Sequence, residues 1–190
     1  MNGTSTCGVW RSATAGATWA TTTASFMDDD GDYIQVIPLL AGAILLIKQD
    51  ASANTLVSRV YSAAGAWDGA DTSIDASVTE NVSYRQIFSA AIHKGSGIVY
   101  LLYYSAPAVS SNLKFASYNG TWTGKTNLIS ATSGYVGAAV AVNENRNYVY
   151  GLYAVGSAGV STDVYSKLST DGGTTWGSAV KVSTTAADIA

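Results

Sequence analysis

Few residues in this chain have the types and spacing that chemistry requires. Asp28-Asp29-Asp30-Gly31-Asp32 places four carboxylates in five positions. Oxygen ligands at that density suit a hard cation such as Ca2+, with Asp28, Asp30 and Asp32 as the candidate ligands. The stretch lacks the spacing and distal glutamate of an EF-hand loop, and Asp with Gly is ordinary turn chemistry. A solvated acidic connection is the preferred reading, and no metal or other cofactor is expected. The arginines are Arg11, Arg59, Arg85 and Arg146. Three of them, Arg11, Arg59 and Arg146, stand beside polar turns and read as solvated charges. Tyr84-Arg85 stands at the start of an apolar strand and is the ligand-binding candidate, the alternative being a rim ion pair. Glu80 and Glu144 both fall in polar connections, so no carboxylate pair for glycoside hydrolysis can be assigned from spacing. His93 is the single histidine and reads as a hairpin-end residue, because a general base needs a positioned partner. Gly151, Gly156 and Gly159 lack the strand-to-helix context of a phosphate cradle. Catalytic residues stay unassigned.

Composition narrows the classes further. Ten basic against 13 acidic residues give a formal net charge of -3, with no basic patch for nucleic acid or an anionic membrane. Cys7 is the only cysteine, which excludes an internal disulfide framework and a Cys-rich zinc site. The most apolar run, residues 36–47, is interrupted by Pro38 and Gly42 and falls short of the ~18 residues of a spanning helix. It reads as two buried strands meeting at a turn. The first residues, Met1-Asn2-Gly3-Thr4, show no basic-then-apolar leader pattern. Sequons occur at Asn2, Asn81 and Asn119.

The elements that would position these groups are strands. Charged residues are 12% of the chain and hydrophobic ones 47%, with 19 glycines, a balance that favours short strands and tight turns over helices. Trp19, Trp67, Trp122 and Trp176 each follow a Gly-containing turn and recur roughly every 50 residues, the size of a propeller blade. Alternating or continuous apolar runs then fall into three units of four strands. The first unit comprises 33–40, 43–48, 56–61 and a strand near 72–76. The second comprises 85–93, 97–104, 113–117 and 126–130; the third, 135–143, 147–155, 163–168 and 178–183. Residues 1–24 supply only a third strand, a turn and a fourth strand. The first two strands of each unit are the most apolar and are expected to be the inner, covered ones. The tyrosines of the second strands, Tyr100, Tyr103, Tyr104, Tyr148, Tyr150 and Tyr153, are expected to pack sheet on sheet.

These features predict an all-β chain, a β-propeller of four-stranded antiparallel blades with about three and a half blades present. It is read as a single segment over 1–190, with a half blade at 1–24 and blades near 33–80, 84–131 and 135–185. An open propeller has exposed edges, so another chain or further sequence is expected to close the ring.

One turn is more specific than the rest. Ser169-Thr170-Asp171-Gly172-Gly173-Thr174-Thr175-Trp176 resembles the Asp-box of the bacterial neuraminidase repeat, Ser-x-Asp-x-Gly-x-Thr-Trp, at every specified position. In Ser12 to Trp19 the residues Ser12, Gly16, Thr18 and Trp19 match, with Thr14 at the aspartate position. The turns before Trp67 and Trp122 are two residues shorter and keep only Ser, Gly and Trp in order. The resemblance implies a sialidase-like propeller in which Ser169, Asp171, Gly173, Thr175 and Trp176 are structural, joining a blade's third and fourth strands away from the substrate. Sialidases of this superfamily also hold the substrate carboxylate with three arginines, and use a Tyr–Glu nucleophile, an Asp acid/base and a Phe/Tyr-Arg-Ile-Pro motif. Here Gln35-Val36-Ile37-Pro38 has Val36 where that arginine belongs, which weighs against catalysis. The resemblance therefore implies a non-catalytic propeller binding glycan or protein, outside the cell or on a particle surface. The alternatives are an exo-sialidase or related glycoside hydrolase with an incomplete site, and a structural assembly module.

Overall fold

A computed structural model describes residues 7–27, 33–50, 53–78, 87–105, 111–132, 135–157 and 160–183. The strands follow one another as antiparallel meanders. β1 (Cys7–Arg11) and β2 (Ala20–Met27) form a two-stranded sheet. The first four-stranded sheet runs β3 (Tyr33–Pro38), β4 (Ile44–Asp50), β5 (Thr55–Tyr61) and β6 (Thr72–Asp75). The second runs β7 (Phe88–His93), β8 (Ile98–Ser105), β9 (Ser111–Tyr118) and β10 (Trp122–Thr132). The third runs β11 (Tyr135–Asn143), β12 (Tyr148–Ser157), β13 (Val160–Ser169) and β14 (Val180–Lys181). The one helical turn among the described residues, Leu40–Gly42, connects β3 to β4, as the Gly within that apolar run predicts. No helix among the described residues is long and apolar enough to cross a membrane.

Spatial order equals sequence order in every sheet, because connections of a few residues permit only antiparallel neighbours. The units expected from the sequence therefore correspond to sheets, with differences at their last strands. β10 begins at Trp122 instead of at Thr126, since Trp122 pairs directly with Tyr118 across the short turn. A register shift after Thr123, where Gly124 and Lys125 adopt positive φ, hides this strand from a search for alternation. β14 contracts to Val180–Lys181. No closed ring is formed among the described residues.

Burial corrects the expectation for the inner strands. The second strands of the first two sheets are the best covered: Leu45, Leu46 and Ile47 on β4 and Val99 to Tyr104 on β8 are at most 1% exposed, whereas β12 of the third sheet leaves Tyr150 37% exposed. The first strands are only partly covered, and Val36 on β3 is 55% exposed. They form one edge of each sheet, so only one side carries a ladder partner. The three edges lie near one another, β7 beside both β3 and β11. Side chains there take the place of missing strands. The Gln35 amide accepts from Ala90 N–H at 2.9 Å and donates to Ala90 C=O at 2.7 Å. Ser89 Oγ accepts from Val140 N–H at 3.3 Å. These bonds satisfy edge backbone groups that would otherwise lack partners.

A continuous core runs through all three sheets, from Ile37 and Leu56 through Phe88 and Leu102 to Val140 and Tyr153. The second-strand tyrosines divide by sheet: those of the second sheet are all buried, those of the third only in part. Tyr100, Tyr103, Tyr104 and Tyr153 are buried, Tyr148 is half-buried and Tyr150 is 37% exposed. Tyr104 carries its hydroxyl into the third sheet, within 3.2 Å of Ala154 C=O, and Tyr100 donates to Asn147 Oδ1 at 3.1 Å. Sheet-on-sheet packing is therefore what these rings do.

Candidate functional site

The turn joining β13 to β14 is built around two side chains. Ser169, 1% exposed, accepts from Gly173 N–H at 2.7 Å and donates to Asp171 Oδ1 at 2.8 Å. Asp171 accepts from Thr175 N–H at 2.8 Å and from Thr175 Oγ1 at 2.6 Å. The Thr175 hydroxyl and amide, with Ser169, hold the Asp171 carboxyl down at about 2. Trp176 Nε1 then donates to Gly173 C=O at 3.1 Å, folding the indole over the turn. The Ser169, Asp171, Thr175 and Trp176 side chains are thus bonded within the turn, while Gly172 N–H donates outside it to Asn147 C=O at 2.9 Å.

The turn joining β1 to β2 repeats this network. Ser12 Oγ accepts from Gly16 N–H at 2.7 Å, Thr14 Oγ1 accepts from Thr18 N–H at 2.8 Å, and Trp19 Nε1 donates to Gly16 C=O at 3.1 Å. Thr14 and Thr18 also pair hydroxyl to hydroxyl at 2.8 Å. Ala15 and Gly16 take positive φ where Gly172 and Gly173 do. The shorter turns retain less. Ser62 Oγ accepts from Ala66 N–H at 3.1 Å, and Ser117 Oγ lies 3.1 Å from Thr123 Oγ1.

The turns also join sheets. Trp176 packs edge-on against Phe115 of β9, with centroids 5.0 Å apart, and Gly173 lies so close to Phe115 that a Cβ would meet its ring at 2.2 Å. Trp122 Nε1 donates to Ser58 Oγ on β5 at 2.8 Å. Arg11 of β1 donates to Ala63 C=O in the turn before Trp67, at 3.1 Å. The turns before Trp122 and Trp176 thus touch the third strand of the preceding sheet, and the turn before Trp67 touches β1. Trp19 is 59% exposed, with no sheet before β1 among the described residues to cover it.

A cleft of about 420 Å3 opens where the inner edges meet, lined by Ile34, Gln35, Phe88, Ser89, Gly137 and Ala138. It lies at the starts of β3, β7 and β11, within the usual size range of small-molecule sites. No charged side chain lines it among the described residues. The polar groups are the Gln35 amide and the Ser89 hydroxyl, whose oxygen accepts from Val140 and whose proton stays free to donate. The sequence reading missed these residues; a Gln and a Ser in otherwise apolar first strands were the available signal.

The described charged residues singled out from the sequence, Arg11, Arg59, Arg146 and Glu144, do not line this cleft. Tyr84 and Arg85, and Asp28, Asp30 and Asp32 with their neighbours, lie outside the described residues. Arg146 is exposed, over the Tyr148 ring. Arg59 and Arg11 are not merely solvated charges. Arg59 pairs with Asp71 and lies over Trp67, and Arg11 bonds Ala63 and lies over Tyr61. Glu144 is exposed and accepts from Lys94 N–H at 2.8 Å. His93 Nδ1 sits 3.0 Å from Ser96 Oγ and 3.1 Å from Ser96 N, closing its own hairpin as expected. Among the described residues no cluster of His, Cys, Asp or Glu could hold a metal ion.

A half-buried ion pair joins the first two sheets. Burial works against ionisation of Asp75, but Lys114 Nζ at 2.8 Å and Ser77 N–H at 3.0 Å outweigh it and hold the carboxyl below its ordinary range. Tyr103, cross-strand from Lys114, is fully buried with no hydrogen-bond partner for its hydroxyl. Burial, and then the Asp75 charge, push that hydroxyl far above the usual phenol range. With no exposure, it is structural.

Comparison with models of known protein families finds no match to this chain, and comparison with curated proteins finds none.

Proposed function

We propose that this chain is a segment of a sialidase-like Asp-box β-propeller, its three four-stranded sheets serving as blades, that binds glycan or protein without catalysing hydrolysis. The observation that carries the reading is the cleft between the first strands, whose lining among the described residues offers one amide and one hydroxyl and no charge. Carboxylate capture requires guanidinium forks. The described arginines are instead spent on Asp71, Ala63 and aromatic rings at the turns. An uncharged ligand is the one such a lining recognises, because it presents hydroxyl and amide groups with no charge to compensate.

The two box turns support the scaffold part of the reading. They carry the same hydrogen bonds at the same offsets, which is what a repeated structural element requires and a catalytic one does not. The test is to probe arrays of neutral and sialylated glycans and of peptides with the chain, and to follow release from a fluorogenic sialoside in parallel. Binding to uncharged ligands without release is expected. Saturable release, or binding restricted to sialylated glycans, overturns the reading.

A further inference from the structure

Among the described residues, five of the seven large hydrophobic side chains that stand exposed belong to the two ends of the sheet series. Trp10 and Trp19, each 59% exposed, are on the two-stranded sheet, and Tyr150 (37%), Val180 (61%) and Val182 (51%) are on the third sheet. Register assigns each set to one face. Trp10 pairs with Thr21, two residues after Trp19, so the two indoles share a face. Arg11, on the opposite face, reaches the first sheet at Ala63. The Trp face is therefore turned away from the rest of the chain. On the third sheet Tyr150 pairs with Leu168, and Val180 with Ser166 two residues earlier, so Tyr150 and Val180 share a face with Leu168.

The internal junctions show what covers such faces. Tyr100 pairs with Ser117 in the second sheet as Tyr150 pairs with Leu168 in the third, each beside the residue that ends its third strand. Tyr100 is 1% exposed because the third sheet covers it, its hydroxyl reaching Asn147. Ser58 and Phe115 lie on that same following face and receive Trp122 and Trp176 of the next sheet. The end of the series thus presents the surface that a turn tryptophan packs on, and its beginning presents a turn tryptophan with nothing to pack on.

We propose that the Trp10–Trp19 face of one copy docks on the Tyr150–Val180–Val182 face of a second copy of this chain, extending the internal junction between molecules. The contact is head to tail, and two such contacts related by a twofold axis close a dimer that leaves neither face open. The indoles and the valines supply the aromatic anchors and apolar cover of a stable interface. The inference rests on the repeated junction and not on ligand binding, so glycan and peptide arrays bear on the functional reading without bearing on it.

Sedimentation of the chain is expected at twice its 19.6 kDa. A head variant, Trp10→Ser with Trp19→Ser, and a tail variant, Tyr150→Ser with Val180→Ser, are each expected to sediment as monomers while keeping the strand circular dichroism of the parent. Mixing the two variants restores one intact head and one intact tail, so the mixture is expected to form a heterodimer. A monomeric parent overturns the proposal, as does closure of the ring within one molecule. Dimers lost only in the head variant point to head-to-head pairing and overturn it, and a mixture that stays monomeric overturns it as well.

Discussion

Thr14 and Asp171 make the same hydrogen bond in two turns at opposite ends of the chain, each accepting at 2.8 Å from the amide of the threonine four residues on, Thr18 or Thr175. A hydroxyl and a carboxylate thus serve one geometric purpose. The carboxylate does more, binding the Thr175 hydroxyl and Ser169 as well.

Replacement of Asp171 is expected to be graded. Asp171→Thr should retain most of the stability of the third sheet, as Thr14 does in its own turn, whereas Asp171→Ala leaves Thr175 N–H and Ser169 without their acceptor and lowers Tm further. The pH dependence separates the two contributions. The folded carboxyl is depressed from 3.8 to about 2, so its stabilisation is fully present above pH 3.8 and is lost as pH falls through about 2. Thermal melts across that interval should show a decline in the parent that is reduced in Asp171→Thr. An equal decline in both would contradict the assignment.

Gly173 and Gly16 hold equivalent positions with φ of +89° and +93°, but only Gly173 faces an obstacle, the Phe115 ring. Gly16→Ala should cost about 1 kcal/mol, for the backbone conformation alone. Gly173→Ala adds an overpacking cost of about 1–3 kcal/mol. Denaturant titration of the two variants measures the difference directly, and similar midpoints for both would show that the Phe115 contact is not tight.

Trp122 and Ser58 join the second sheet to the first through one indole hydrogen bond. Ser58 is 2% exposed, so Ser58→Ala strands the indole N–H and should cost about 1–2 kcal/mol. Trp122→Phe removes the donor instead. A double-mutant cycle should return a coupling of about 1 kcal/mol, and additivity of the two losses would argue against the bond.

Tyr103→Phe is expected to be neutral or stabilising by up to about 1 kcal/mol, since the hydroxyl removed is buried without a partner beside the Asp75 carboxylate. Lys114→Met should act in the opposite sense, because it leaves the half-buried Asp75 carboxylate without its 2.8 Å ammonium. Equilibrium unfolding of the two variants tests the pair of signs.

The sheets were legible in the sequence because four-strand units separated by turn residues recur around each tryptophan. Ser169, Asp171, Gly173 and Thr175 stood out through their resemblance to a known turn pattern, but which atoms of that turn pair emerged only from the folded backbone. The cleft was not legible. Gln35, Ser89 and Gly137 come from three different strands, and only tertiary packing makes them neighbours. The roles of Arg59 and Arg11 were hidden for the same reason, since their partners Asp71 and Ala63 lie beyond the strands that carry them. Partial exposure of the first strands was missed because an apolar run reads as buried, whether it fills a core or lines an open edge.

The claim that the cleft is the binding site is tested most directly at Gly137, where a Cβ would meet nothing within 4 Å and the backbone is unstrained. Gly137→Leu should fill the cleft without unfolding the chain. Arrays of neutral glycans and peptides probed with the parent and with Gly137→Leu are expected to give signal for the parent that the variant loses at unchanged Tm. Equal signal from both proteins, or none from the folded parent, would contradict the account.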